Sequence, residues 1–126
     1  MAMASSTLEQ AETASLIGSD KVEGTAVYRP NGDKVGMIER IMIDKLSGKV
    51  AYAVMSFGGF LGLGHDHYPI PWSLLTYNTQ LQGYEVNITD DQLKGAPRFT
   101  RDHPWDWDDN DRSRRVHNYY GVPFGL

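Results

Sequence analysis

The reading of the fold turns on residues 49–75, KVAYAVMSFGGFLGLGHDHYPIPWSLL. Within residues 49–57 both faces of an extended chain are apolar. Val50, Tyr52 and Val54 fall on one side, and Ala51, Ala53, Met55 and Phe57 on the other. A strand without a polar face is central and needs cover on both sides. That cover must come from outside the sheet, either from the C-terminal tail or from another copy of the chain. The connection that follows, GGFLGLG at residues 58–64, is rich in glycine. A dinucleotide loop needs G-x-G-x-x-G before a long helix, and a P-loop ends in Gly-Lys-Ser/Thr. Here the glycines lead into His65-Asp66-His67 and the short extended piece 68–72, so no helix N-terminus awaits a phosphate. The connection reads instead as a wide turn that presents Phe60, Leu61 and Leu63 to a neighbour, because grouped exposed apolar residues mark interfaces. Pro69 and Pro71 are expected to deny two ladder donors. Ser73-Leu74-Leu75 then makes one helical turn.

Working outward, residues 21–28 (KVEGTAVY) and 36–44 (GMIERIMID) read as two strands joined by the turn Pro30-Asn31-Gly32-Asp33. Asn-Gly tolerates the positive φ that a tight hairpin demands. Glu39 and Arg40 stand on opposite faces of the second strand, so neither face is wholly apolar. Lys45-Leu46-Ser47-Gly48 turns the chain into residues 49–57. Beyond the central stretch, residues 77–82 form a turn, and Tyr84, Val86 and Ile88 alternate with Glu85 and Asn87 as a half-buried strand. Thr89-Asp90-Asp91-Gln92 is a capping box for a short helix that Gly95 and Pro97 stop. Five or six short strands with tight turns and little helix imply a mainly β fold, a small six-stranded antiparallel barrel with short helical turns.

Three segments follow. Residues 1–15 are a flexible N-terminal stretch, where Ser6 to Glu9 has capping-box spacing and a short helix over 7–14 competes with a frayed end. Residues 16–97 are the barrel. Residues 98–126 are an Asp- and Arg-rich tail, packing on the barrel or on a partner. The tail opens as a loop and carries a helix over 110–120, with Val116, Tyr119 and Tyr120 at i, i+3 and i+4 and Gly121 as C-cap.

The chain has 126 residues and a formal net charge of −4, so it is one domain with an appended tail. That charge argues against a nucleic-acid grip, which needs a basic face to neutralise phosphates, while leaving room for a local basic patch, so a nucleic-acid partner is not expected. With no cysteine there is no disulfide framework and no thiolate chemistry. The N-terminus lacks the basic and apolar regions of a signal peptide, and no apolar run reaches the ~18 residues of a membrane span. A cytoplasmic location is expected.

The blocks DKVEGTAVY (20–28), GDKVGMIERIMIDKLSGKVAYAVMSFGGFLGLG (32–64) and PIPWSLLTY (69–77) together resemble a bacterial PRC-barrel domain. The resemblance runs over residues 17–99, and its most specific part is SGKVAYAV-SFGGFLG-G followed by P-x-P-W. The ending RRVHNYYGVP, at 114–123, is similar to the tails of short free-standing proteobacterial members. The family takes its name from the cytoplasmic domain of the photosynthetic reaction-centre H subunit, and a related domain occurs in a ribosome-maturation factor. The resemblance implies a six-stranded barrel that docks other proteins without catalysis. Where relatives carry a Glu-Lys-Tyr-like triplet after the glycine loop, this chain has His65-Asp66-His67.

His65 and His67 share one face of a strand and are the metal candidates, with His103 or His117 as a third ligand. Asp106-x-Asp108-x-Asn110 resembles the start of a calcium loop, but Asp111 stands where glycine is needed and His117 where glutamate is needed. The acids are instead expected to pair with Arg112, Arg114 and Arg115. No serine sits in a nucleophile elbow. No catalytic residue, resident metal or cofactor is assigned. The expected function is a non-enzymatic protein-binding module that forms a homodimer or larger assembly and meets an unidentified protein partner. Its interface residues are Phe57, Phe60, Leu61, Leu63, Trp105, Trp107, Arg114, Arg115, Tyr119 and Tyr120. The alternatives are an RNA- or ribosome-associated factor, in which Arg114, Arg115 and the tyrosines stack on bases, and a metal-binding protein using His65 and His67.

Overall fold

Two tight turns, each fixed by a local side chain, start the sheet. The computed structural model describes residues 12–57, 66–100 and 102–124. In the first turn Gly32 takes φ 93°, and the Asn31 side chain accepts from the Asp33 amide at 3.0 Å. This turn joins β1 (Ala26–Tyr28) to β2 (Lys34–Ile43). In the second, the Asp44 carboxylate accepts from the amides of Leu46 and Ser47, and the chain returns as β3 (Val50–Phe57). These amide bonds hold the Asp44 carboxyl below its usual range. Ahead of β1, residues Ser19–Val22 form a one-turn helix, α1, and bury Val22 against the core. The expected strand over 21–28 is therefore shorter, since Lys21 and Val22 belong to the helix.

β4 (Tyr68–Pro71) pairs with β3, a 3-10 turn (Trp72–Leu74) follows, and β5 (Thr76–Asn78) and β6 (Gly83–Glu85) form a second hairpin. The sheet order is β4-β3-β2-β1-β6-β5. Five neighbouring pairs result, and four are antiparallel. β1 and β6 run parallel, with Val27 opposite Tyr84. The expected all-antiparallel closed barrel is thus corrected to a mixed, open six-stranded sheet. The parallel pair arises because the chain crosses from β4 to the far edge before β6 returns beside β1. The expected turn at 77–82 also begins as strand, since Thr76–Asn78 pairs with β6.

The sheet is nonetheless strongly curled. β4 and β5 are its opposite edges, yet only residues 72–75 separate them in sequence. A flat sheet would hold those edges about 24 Å apart at ~4.8 Å per strand. The chain from Pro71 to Thr76 reaches at most about 18 Å. Trp72 fills the resulting gap, edge-on against Tyr84 at 5.2 Å, which in turn meets Tyr77 at 5.1 Å.

A β-bulge resolves the paired charges of β2. Ile38 faces Met55 and Arg40 faces Val54, so Glu39 is an extra residue without a partner. The bulge leaves Glu39 and Arg40 both exposed and returns Ile41 to the core side opposite Ala53. Ser56 on β3 donates to the Glu39 carboxylate at 2.6 Å. The concave side of the sheet holds the core, where Val27, Ile38, Met55, Tyr68 and Ile70 are fully buried. Each such side chain contributes about 1.5–3 kcal/mol relative to exposure. α2 (Asp90–Gly95) adds Leu93 under a complete capping box, in which Thr89 accepts from the Gln92 amide and Gln92 accepts from the Thr89 amide. Arg29 fastens this corner by donating to the Ile88 carbonyl at 3.0 Å and pairing with Asp90.

The expected helix over 7–14 falls largely outside the described residues, and Glu12 at their start forms a β-bridge with Ile17. The glycine-rich turn with Phe60, Leu61, Leu63 and His65 also lies outside them.

At Gly36 β2 lies close against β3, where a Cβ would overlap the Ser56 carbonyl oxygen and come within 3.1 Å of the Phe57 Cα. Both neighbours are main chain and cannot rotate away. Gly36→Ala is expected to lower stability by about 1–3 kcal/mol through overpacking. A urea unfolding midpoint equal to that of the unsubstituted chain would contradict this account of the β2–β3 contact.

Candidate protein-interaction face

Beyond α2 the chain crosses back to the outer edge of β4. The His67 amide donates to the Phe99 carbonyl at 2.8 Å, and the Phe99 amide donates to the His67 carbonyl at 2.9 Å. Along a strand, main-chain groups of alternate residues point to opposite edges. His67 therefore marks the outward parity, which Pro69 and Pro71 share, while Tyr68 and Ile70 face β3. The prolines were expected to remove two ladder bonds. They remove none, because the amides they lack would have pointed away from the sheet. The His67 ring also stacks on Phe99, with centroids 5.5 Å apart and planes at 25°.

From Phe99 the tail lies over the outer side of β3. Trp105 and Trp107 contact Phe99 at 6.2 and 6.3 Å and each other at 6.3 Å. Trp107 sits against Tyr52 at 5.5 Å. The second apolar side of β3 is covered here by the chain's own tail, so burial of Tyr52 and Val54 needs no second copy. α3 (Asn110–Tyr120) then packs against β4, burying Val116 and Ser113. Its start is capped by Asp109, which accepts from the amides of Asp111 and Arg112. Gly121 at φ 70° ends it. Helix and sheet are joined by a relay of two hydrogen bonds. The Pro123 carbonyl only accepts, so His117 donates to it from Nδ1 at 3.0 Å. His117 Nε2 in its neutral form then accepts from the Tyr52 hydroxyl at 2.8 Å. Burial raises the Tyr52 phenol above its ordinary value.

Helical geometry separates residue pairs that are adjacent in sequence. Tyr119 turns to α2, where its hydroxyl donates to the Gln92 carbonyl. Tyr120 packs on the core with a buried hydroxyl that has no hydrogen-bond partner among the described residues, and that burial pushes its phenol strongly up. Arg114 pairs with Asp111 at 4.0 Å and lies 5.0 Å from the Phe124 ring centroid. Arg115 instead lines a cleft with Arg98, Arg112, Trp105 and Tyr119. Phe57, expected at an interface, is a core residue set edge-to-face with Tyr68 at 5.0 Å. Arg98, Phe99, Arg112, Tyr52 and His117 were not singled out as interface residues. For Arg112 the signal was present, since residues 112, 115 and 119 share a helix face by spacing.

The acids at 106–111 are engaged locally. Asp106 accepts from the Asp108 amide, and Asp109 pairs with Arg112 at 3.5 Å. His67 Nδ1 is buried without a hydrogen-bond partner among the described residues. Among the described residues, no group of three or more His, Asp or Glu is placed to hold a metal ion. Also among them, no helix is long and apolar enough to cross a membrane.

If the Tyr52–His117 bond fastens the tail, Tyr52→Phe and His117→Ala will not add independently. A double-mutant cycle in urea is expected to give a coupling of about 1 kcal/mol. Strict additivity would mean that the tail is held by its aromatic contacts alone.

Among curated proteins, none matches the chain. Residues 16–93 match the family described as PRC-barrel domain. That span is well over half of the chain and takes in every strand of the sheet. The chain belongs to the PRC-barrel domain family.

Proposed function

We propose that the chain is a non-enzymatic protein-binding module that docks its partner on the tail face between Arg98 and Tyr119. The observation that supports this most is the grouping of Trp105, Arg112, Arg115 and Tyr119 around one cleft. Tryptophan, tyrosine and arginine are the residue types in which interface binding energy concentrates. Because the tail lies on its own sheet, the face is built without a partner and little ordering remains for binding to offset. An RNA-associated role draws less support. Arg114 already faces Asp111 and lies against the Phe124 ring, and the chain carries a net charge of −4. The metal-binding alternative leans on His67, whose ring is stacked on Phe99. Self-association is the simplest form of the proposed binding, and the tail face is its remaining structural basis.

Affinity capture from extracts of the source cell tests the reading, with Trp105→Ala plus Tyr119→Ser as the comparison. The native chain is expected to retain a discrete protein that the double variant loses. Equal capture by both would remove the tail face from the function. Sedimentation velocity at tens of micromolar tests self-association: a species heavier than the 14.1 kDa chain is expected, and a strict monomer leaves only a different protein as partner.

A further inference from the structure

The cleft beside α3 has a volume of about 450 Å³, which is within the range of ligand-sized sites. Arg98, Arg112 and Arg115 line it, and among the described residues no carboxylate does. In a chain with 12 basic and 16 acidic residues, that local composition runs against the whole. Phe99, Trp105 and Tyr119 supply apolar wall between the cations. We propose that this cleft takes an acidic peptide segment of the partner, one in which carboxylates flank an aromatic or bulky apolar residue. The inference rests on the protein-binding reading above and names the chemistry of what is bound.

Two of the three arginines are held before any ligand arrives. The Arg112 guanidinium lies 5.7 Å from the Trp105 ring centroid, and its Nε faces Asp109 at 3.5 Å. Its two terminal nitrogens form the outer edge of the planar fork that matches a carboxylate. Arg98 lies 5.8 Å from the Tyr68 ring centroid. It donates to the Tyr68 hydroxyl at 2.9 Å and to the Lys94 carbonyl at 3.2 Å, and it faces Asp66 at 3.6 Å. Arg115, exposed one turn beyond Arg112, adds a third cation. Pre-positioned arginines lose less conformational entropy per bond formed, and the stacked rings limit their hydration.

The same surroundings set the length of the ligand. Asp66 and Asp109 each pair with one of the arginines, and Asp106, Asp108 and Asp111 follow along the tail. A short run of carboxylates meets only the two acids already neutralised by their arginines. A long polyanion such as RNA extends past the cleft and meets that repulsion. The aromatic wall in turn favours a side chain that stacks, so a peptide combining both features fits better than a bare anion.

Fluorescence anisotropy with a dye-labelled short peptide of glutamates around one tryptophan tests this on the full chain. Saturable binding that weakens with added salt is expected. Arg115→Glu should weaken it about tenfold while leaving the urea midpoint unchanged. The matched peptide with glutamine for glutamate should not bind. Equal binding of the glutamine peptide, failure of the glutamate peptide, or tighter binding of a single-stranded RNA of equal charge would each overturn the proposal. The outcomes separate the two readings. Peptide binding without any captured partner keeps the cleft chemistry and removes the docking role. A captured partner whose retention ignores salt and Arg115→Glu does the reverse.

Discussion

Everything in this fold depends on the short link between the sheet's two edges. Residues 72–75 are all that separates β4 from β5, although four strands lie between them in the sheet. No flat arrangement satisfies that link, so the sheet must curl until its two edges come within the reach of four residues. Rolling gives the sheet an inside, where Ile38, Met55, Tyr68 and Ile70 are sealed from water. The bulge at Glu39 helps the longest strand follow the curve, since bulges bend and twist the strand that carries them. The ring of Trp72 plugs the seam against Tyr84.

Rolling also creates an outside, and along β3 that surface is apolar too. Tyr52 and Val54 on β3 are covered by Trp107, His117 and the approach of the tail through Phe99. The tail is therefore a second layer of the domain in the sense that it buries one side of a central strand. Having satisfied the sheet with one side, α3 and the preceding loop turn Arg112, Arg115 and Trp105 outward around the cleft. One side of this segment stabilises the sheet, and the other carries the proposed docking face.

Much of this was legible in the sequence where the signal is local. The two apolar sides of residues 49–57 specify a covered central strand, and the helix at residues 110–120 follows from its spacing and Gly121. The capping box at Thr89 is as local as a signal can be, and both of its hydrogen bonds form. What was not legible is what depends on distance along the chain. Three residues, Thr76–Asn78, are too few to show alternation, so β5 could not be told from a turn. The parallel pairing of Val27 with Tyr84 joins residues that no turn connects. The site behaves in the same way. Trp105, Arg115 and Tyr119 were found by residue type, whereas Arg98 comes to them only through the route the tail takes past His67. Adjacent pairs misled: the helix sends Arg114 and Tyr120 away from the cleft that Arg115 and Tyr119 line.

The placement of Pro69 and Pro71 has a consequence for the chain while it is being made. β4 is synthesised before the tail that covers its outer edge, and at ribosomal rates residues 72–120 take roughly 3–10 s to follow. During that interval neighbouring nascent chains on one message hold identical strands close together. An unguarded strand edge in that setting is a template for pairing between chains. With prolines at both outward positions, β4 offers a neighbour no amide donor from residues 69 or 71, which weakens such pairing before Phe99 binds His67.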